Sequence, residues 1–268
     1  MNSSSGQPVG SFQPRLTPAV KHILISIVVI FLVQQSFHQF AGISIERLLG
    51  FAPVTFFFGP YLWQLLTYPF LHGSLSHILF NGLVLYLLGS ELEGRWRTVP
   101  FLKYFFVCAM GGAVLQSLIW GICLLFFPDA ASYLGNIPVI GASGALYGLF
   151  MAFGRIYGDT NVLVFFLFPM KAKNFVLLLF GIELVSAVFY NATGNDGRVA
   201  HLVHLGGLIT GYIYLRIKGN NLDGRGGGFF GFGKRKQLDR DEVKRRLSLV
   251  VNNNEPKKGD KDFPITWN

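Results

Sequence analysis

The sequence predicts an all-α polytopic membrane protein with six transmembrane helices, and three observations carry that prediction. The 268-residue chain is 51% hydrophobic and only 14% charged, whereas soluble domains are about a quarter charged. Thirteen of its 23 Lys and Arg residues lie from Arg216 onward, which leaves residues 20–215 with very little charge. Six apolar segments lie near the length of about 20 residues that one span requires. They cover residues 22–40, 75–91, 99–127, 141–157, 172–190 and 200–217.

The distribution of positive charge orients these spans. With a cytoplasmic N-terminus, 21 of the 23 Lys and Arg residues fall on the cytoplasmic side, and only Arg47 and Arg198 fall outside. Cytoplasmic loops carry the excess of Lys and Arg, so this split favours six spans with both termini in the cytoplasm. We expect a multi-pass protein of a bacterial inner membrane.

Composition also divides the chain into three parts. Residues 1–20 are polar and rich in Pro and Ser, and we expect a disordered N-terminus without a cleaved signal peptide. Residues 21–217 form the membrane domain. Within it, residues 41–74 are too apolar for a solvated loop and too rich in Gly and Pro to span, so we expect a structured outer loop at the membrane interface. Residues 218–268 form a Gly-rich, basic cytoplasmic tail suited to anionic lipids.

Polar side chains occur in three of the spans at similar depth. In the orientation above, the second, fourth and sixth spans run from outside to inside, and their polar residues lie near the outer ends. These residues are His77 and Asn81 in the second span with His72 just before it, Ser143 and Tyr147 in the fourth, and His201 and His204 in the sixth. Polar groups in spans are costly and mark functional sites. Three distant clusters on one side of the membrane therefore favour an active site.

Small residues form a stripe on each of the two spans that carry the serine and the second histidine. The stripes are Gly144 with Gly148 on the fourth span and Gly207 with Gly211 on the sixth. Small residues let membrane helices approach closely. We therefore expect the stripes to bring Ser143 within hydrogen-bond reach of His204, as an activated serine requires.

Each polar residue taken alone also has a structural explanation. A lone serine between small residues is more typical of a helix interface, and His77 with Asn81 would serve as interhelical hydrogen-bonding groups. We expect His201 to support the site rather than to react. Glu183, in the fifth span, is expected to have a structural role, bonded to Ser186 or to a neighbouring helix. The combination of residues at one depth is what favours catalysis.

Three motifs together resemble those of the rhomboid intramembrane serine proteases. The motifs are GASG at 141–144, the pattern H-x-x-x-x-H-x-x-x-N of His72, His77 and Asn81, and AHLVHLGGLITG at 200–211. They occur in the family's order and spacing. The resemblance covers residues 20–217 and implies a six-helix rhomboid-like bundle with a structured first outer loop.

Outside these motifs the resemblance is close but incomplete. Trp63 and Glu93 also fit the family pattern. Gln64 stands where many rhomboids have arginine, and Arg97 stands where a glycine is common. Both departures lie outside the catalytic core, so they concern the loops.

The resemblance implies a role for each residue of the site. Ser143 is the nucleophile and His204 is the general base and acid, and the pair acts as a dyad with no aspartate to orient the histidine. Tyr147 packs against the ring of His204. The oxyanion hole and its supporting polar network consist of His77, Asn81, His72, Gly141 and the backbone N–H of Ser143.

These roles imply a serine endopeptidase that cleaves transmembrane segments near their extracytoplasmic end. Its expected partners are single-span or other membrane-protein substrates and membrane lipids, with no nucleic acid. No metal or cofactor is required, and Cys108 and Cys123 have neither a disulfide nor a zinc pattern. One alternative is a catalytically silent rhomboid-like protein that binds client transmembrane helices, although both Ser143 and His204 are present. The other is a transporter, which would have inverted repeats.

Overall fold

Helices make up most of the protein. The computed structural model describes residues 15–164, 168–189 and 197–222. The first helix, α1 (Pro18–Ser36), is extended by a π-helical turn to Ala41. The connection after it contains α2 (Glu46–Leu49), α3 (Pro53–Phe58), α4 (Gln64–Thr67) and a 3₁₀ turn at Tyr68–Phe70.

Two long helical segments follow. The first consists of α5 (Leu75–Val84), a π-helical turn (Leu85–Gly89) and α6 (Ser90–Trp96). The second is α7 (Thr98–Phe126). The remaining helices are α8 (Pro128–Asn136), α9 (Ser143–Ile156), α10 (Ala172–Phe189) and α11 (Gly197–Leu222).

Four helical segments of the described residues are long and apolar enough to cross a membrane. They are Pro18–Ala41, Leu75–Trp96, Thr98–Phe126 and Ala172–Phe189. The other two expected spans correspond to α9, which has only 14 residues, and to α11, which is less apolar. Length and composition therefore support four spans directly, and the count of six stays a prediction.

A small hairpin lies between α9 and α10, where the all-α prediction has no strand. Strands β1 (Asn161–Val164) and β2 (Phe168–Lys171) pair antiparallel, with Asn161 opposite Lys171. Next to the hairpin, Lys173 Nζ donates to Asp159 Oδ1 over 2.7 Å. Neither the apolar segments nor the turn residues of the sequence indicated strands of four residues.

Helices α7, α9 and α11 form the centre of the protein, and their glycines set the spacing. A Cβ atom on Gly207 would lie 1.9 Å from the carbonyl oxygen of Gly144, and one on Gly211 would lie 3.1 Å from Cα of Gly148. Backbone therefore contacts backbone along the stripes of α9 and α11. Tyr104 of α7 donates its hydroxyl to the carbonyl of Gly148 over 2.7 Å. This hydrogen bond fixes the third helix against the same surface.

Glu93 caps the start of α1 and thereby fixes that helix against α6. Its carboxylate accepts hydrogen bonds from the N–H groups of Ala19 at 2.9 Å and Val20 at 3.0 Å. It also accepts from the hydroxyl of Thr17 at 2.5 Å. A carboxylate at a helix N-terminus accepts hydrogen bonds from the free N–H groups of the first turn. Its negative charge also interacts favourably with the helix dipole. Glu93, which also fits the rhomboid pattern, is therefore buried because it caps α1.

Gln64 organises the connection between α1 and α5. Its side chain is fully buried, and Oε1 accepts from the hydroxyl of Thr55 over 2.9 Å. Its Nε2 lies 3.4 Å from the carbonyl oxygens of Arg47 and Leu48. A neutral amide, which both donates and accepts, thus holds two short helices at the position where many rhomboids have arginine.

Candidate active site

The chain turns sharply just before α9, and this turn presents Ser143 as the first residue of the helix. Gly141 has φ +111°, a conformation that L residues with a side chain rarely adopt. Its N–H donates to the carbonyl of Tyr68 over 2.9 Å. The backbone turn therefore requires the first glycine of the GASG motif, Gly141.

The structure brings Ser143 and His204 together from α9 and α11. Oγ of Ser143 lies 2.8 Å from Nε2 of His204, which is the distance of a hydrogen bond. Because the backbones meet at Gly144 and Gly207, the two side chains are held at this separation by the helix interface. A hydroxyl in contact with a ring nitrogen is the arrangement that nucleophilic catalysis requires.

Tyr147 lies against the face of the His204 ring. The ring centroids are 4.2 Å apart and the planes differ by 10°, so the two rings are stacked. Tyr147 is one helical turn beyond Ser143 on α9, and both side chains therefore point toward α11. The stacking restricts rotation of the imidazole and covers only a face of the ring, so both nitrogens at its edge remain able to make contacts.

His77 and Asn81 surround the turn that precedes the serine. α5 begins after Ser74, whose Oγ accepts from the N–H of His77 over 3.1 Å. A Cβ atom on Gly141 would lie 2.8 Å from Nε2 of His77 and 3.5 Å from Nδ2 of Asn81. Two side-chain donors thus lie beside the backbone two residues before Ser143.

His72 is fully buried behind Asn81 and hydrogen-bonds to it. Nδ2 of Asn81 lies 3.0 Å from Nε2 of His72, and Nδ1 of His72 lies 3.3 Å from the carbonyl of Phe70. An amide nitrogen can only donate, so Nε2 accepts and Nδ1 carries the proton. Burial, together with the nearby ring of His77, lowers the pKa of His72 to about 4. The neutral form at pH 7 therefore keeps Asn81 in place.

Glu183 of α10 is the site residue whose position the sequence did not predict. Its carboxylate accepts from the hydroxyl of Tyr147, lies 2.5 Å from Nδ1 of His201 and lies 3.2 Å from Nδ1 of His204. A hydrogen bond to Ser186 is not found in the part of the chain that the structure describes. The resemblance implied no aspartate beside the histidine, and the structure has a glutamate there. The one feature of the sequence that pointed to Glu183 was that it is the single acidic residue of the apolar fifth segment.

Fold and site together define a helical integral membrane protein with a serine–histidine pair at a close contact between two helices. A family model of the rhomboid domain matches residues 59–221. This match covers more than half of the chain, and the chain therefore belongs to the rhomboid family.

Several rhomboid proteins align with part of the chain. RHOMBOID-like protein 2 of Arabidopsis thaliana is 30% identical over 150 residues, which are 56% of this chain and 40% of that protein. Rhomboid-like protein 15 of the same plant is 34% identical over 143 residues, 53% of this chain and 33% of that protein. Rhomboid protein 1, mitochondrial, of Saccharomyces cerevisiae is 30% identical over 148 residues, 54% and 38% of the two chains. The chain thus spans well under half the length of these relatives.

The comparisons bear on where the protein resides. The family and the four apolar helices indicate an integral membrane protein. The relatives above come from a plant and a yeast, and one of them is mitochondrial by name. They give no support to a bacterial inner membrane, so we carry forward only the membrane location.

Proposed function

We propose that this protein is an intramembrane serine endopeptidase that cleaves transmembrane segments of membrane-protein substrates near their extracytoplasmic end. The observation that supports this proposal most strongly is the 2.8 Å contact between Oγ of Ser143 and Nε2 of His204. Family membership makes a proteolytic function the first expectation. A catalytically silent, client-binding protein has no need for a hydroxyl in hydrogen-bond contact with a base.

In the proposed reaction, Oγ of Ser143 attacks the carbonyl carbon of the scissile peptide bond. Nε2 of His204 takes the hydroxyl proton as the bond forms. The same nitrogen then gives that proton to the leaving amine, the C–N bond breaks, and an acyl-enzyme remains. Water, deprotonated by His204, releases the new carboxyl group and restores the serine hydroxyl.

The oxyanion of each tetrahedral intermediate needs hydrogen-bond donors. Candidates are the backbone N–H of Ser143, the ring of His77 and the amide of Asn81. One hydrogen on Nδ2 of Asn81 is directed to His72, which leaves the second for the oxyanion. Loss of one such donor costs about 3–4 kcal/mol of transition-state stabilisation in serine proteases.

The proposed topology has six spans, with α9 and α11 as the fourth and sixth and with both termini in the cytoplasm. In that orientation the first turns of α5 and α9 lie near the outer surface, and they carry His77 and Ser143. His204 lies in the first third of α11. A site at this depth receives water from one side and suits cleavage near the outer end of a substrate helix. Short helices such as α9 are acceptable because other helices cover them.

A fluorophosphonate probe, which reacts with activated serines, tests the proposal on purified protein in detergent. The variants are Ser143→Ala, His204→Ala and the control Ser117→Ala, which removes a hydroxyl bonded to its own helix at Ala113. We expect wild type and Ser117→Ala to be labelled, and the two site variants to be labelled at least ~10³-fold more slowly. Labelling that survives Ser143→Ala would assign a different nucleophile. A folded wild type that is not labelled would favour the client-binding function.

A further inference from the structure

Glu183 is a buried carboxylate in a helix that exposes most of its apolar side chains. Only Ala172, Val176 and Glu183 of α10 are buried. The side chain of Glu183 is 5% exposed, while its neighbours Ile182 and Leu184 are about half exposed. A carboxylate within a membrane span is costly unless it has partners. Its partners therefore indicate why it is there.

The two oxygens of Glu183 have separate partners on α9 and α11. Oε1 accepts the hydroxyl of Tyr147 and lies 3.2 Å from Nδ1 of His204. Oε2 lies 2.5 Å from Nδ1 of His201. All three partners belong to the helices that form the serine–histidine pair. The carboxylate therefore connects α10 to the reacting groups.

Ser143 and Glu183 lie at the two nitrogens of the His204 ring. Nε2 is occupied by Ser143, and Nδ1 is fully buried. Glu183 lies 3.2 Å from Nδ1, although the ring N–H is not aligned well enough for a full hydrogen bond. Such contacts are often loose without substrate and tighten in the reactive complex. A proton on Nδ1, directed to the carboxylate, leaves Nε2 free to accept the proton of Ser143.

The same three residues, Glu183, His201 and His204, are also types that bind metal ions. Two ligands bound to one zinc ion at about 2.0–2.1 Å with tetrahedral angles are about 3.3 Å apart. Oε2 of Glu183 and Nδ1 of His201 are only 2.5 Å apart. This separation is far too short for two ligands of one ion and is nearer the ~2.7–2.9 Å of a charge-assisted N–H···O hydrogen bond. The geometry thus fits proton-mediated contacts between these groups.

We propose that Glu183 is the positioning residue of a Ser143–His204–Glu183 triad, holding His204 in the tautomer that accepts the serine proton and stabilising the imidazolium that forms. His201 and Tyr147 fix the carboxylate from its two sides. This inference rests on the proposed protease function. It replaces the dyad with an arrangement in which a glutamate on a third helix orients the base.

The test measures the rate constant of fluorophosphonate labelling, and kcat and KM for a transmembrane substrate, in the full chain. The variants are Glu183→Gln, which removes the charge with little change in size, and Glu183→Asp, which keeps it. Glu91→Gln is the matched control, because Glu91 also accepts a tyrosine hydroxyl, that of Tyr157, away from the serine. The labelling rate constant does not depend on the fraction of protein that is folded, and kcat is calculated per active site as counted by labelling carried to completion. Partial unfolding therefore does not imitate the effect.

We expect Glu183→Gln to lower kcat by about 10²- to 10⁴-fold, as in serine proteases that lose the acid of the triad, with KM changed less than about threefold. Glu183→Asp restores part of the rate, and Glu91→Gln keeps the wild-type value. Should Glu183→Gln react within about twofold of wild type while Ser143→Ala is inert, the triad is overturned and the protease remains. An aspartate variant no faster than the glutamine variant also contradicts the triad. An inert, folded wild type would overturn both proposals.

Discussion

Helices α9 and α10 are held to the protein in different ways. Half of α9, seven of its 14 residues, is buried, and most of these are Gly or Ala. Only three of the 18 residues of α10 are buried, and one of them is a glutamate. Helix α9 is fixed by contact along its backbone. Helix α10 presents most of its apolar surface outward, and the carboxylate of Glu183 contacts the site.

The difference shows how the serine–histidine pair is held rigidly next to a helix with few buried residues. Close-packed backbones on α9 and α11 have no room to adjust, so the distance between Ser143 and His204 is fixed. A helix with little buried surface is the one expected to move most readily. Contact with Glu183 then depends on α10 being in place.

The largest expected effect comes from adding one methyl group to the contact of α9 and α11. In Gly207→Ala, the new Cβ would lie 1.9 Å from the carbonyl oxygen of Gly144, so the helices must separate. Overpacking typically costs 1–3 kcal/mol, and backbone contact places this change at about the upper end. We expect a lower unfolding temperature in detergent and a loss of fluorophosphonate labelling.

Gly121→Ala is the matched control for that change. A Cβ on Gly121, in α7, meets no atom within 4 Å. Alanine also favours a helix by up to about 1 kcal/mol over glycine, so stability is expected to stay equal or rise. If Gly207→Ala behaved like this control, the close contact would not be what holds the site.

An intermediate effect is expected from Tyr147→Phe, which keeps the ring stacked on His204 and removes the hydroxyl that Glu183 accepts. A hydrogen bond to a charged group is worth about 1.5–3 kcal/mol. We expect the labelling rate to fall by about tenfold, because the carboxylate is less firmly held. Rate constants of labelling are the measurement.

Tyr157→Phe is the comparison for Tyr147→Phe, since Tyr157 also donates to a carboxylate, that of Glu91. It is expected to lower the unfolding temperature without changing the labelling rate. Equal rates for the two variants would show that the hydroxyl of Tyr147 has no part in catalysis.

The smallest expected effect lies outside both helices, at Arg97 between α6 and α7. Arg97 is the single described residue other than glycine with a positive φ, at +70° with ψ 167°. A side chain in that region costs about 1–3 kcal/mol. Arg97→Gly should therefore raise the unfolding temperature and leave the labelling rate unchanged.

Arg97→Ala separates the backbone from the charge, because it removes the guanidinium and keeps the Cβ atom. Its unfolding temperature is expected to stay near that of wild type. A gain in stability from alanine equal to that from glycine would assign the effect to charge repulsion instead of strain.

Local sequence patterns predicted a large part of the site. The GASG motif and the second histidine motif identified Ser143 and His204, and the stripes at intervals of four identified the glycines of the helix interface. Spacing suffices for the stripes because small residues recur along one helix face, and the two motifs were assigned through the resemblance to rhomboids. The positive φ of Arg97 occurs at a position that the resemblance had already marked as usually glycine.

The partners of Glu183 were beyond the reach of such patterns. They lie 36 residues before it, and 18 and 21 residues after it, on other helices. A single acidic residue in an apolar span indicates that it has a polar partner, but it does not identify that partner. Likewise, the hairpin of β1 and β2 is too short for its alternation to be recognised.

The sequence by itself determined that this is a membrane protein of the rhomboid type, which residues are polar within its spans, and where small residues permit close packing. These are properties of composition and of neighbours along one helix. Only the tertiary structure decided the 2.8 Å distance between Ser143 and His204, and that Glu183 lies beside the far nitrogen of the same ring. Contacts between separate helices depend on how those helices rotate and pack against one another, and no local stretch of sequence encodes that arrangement alone.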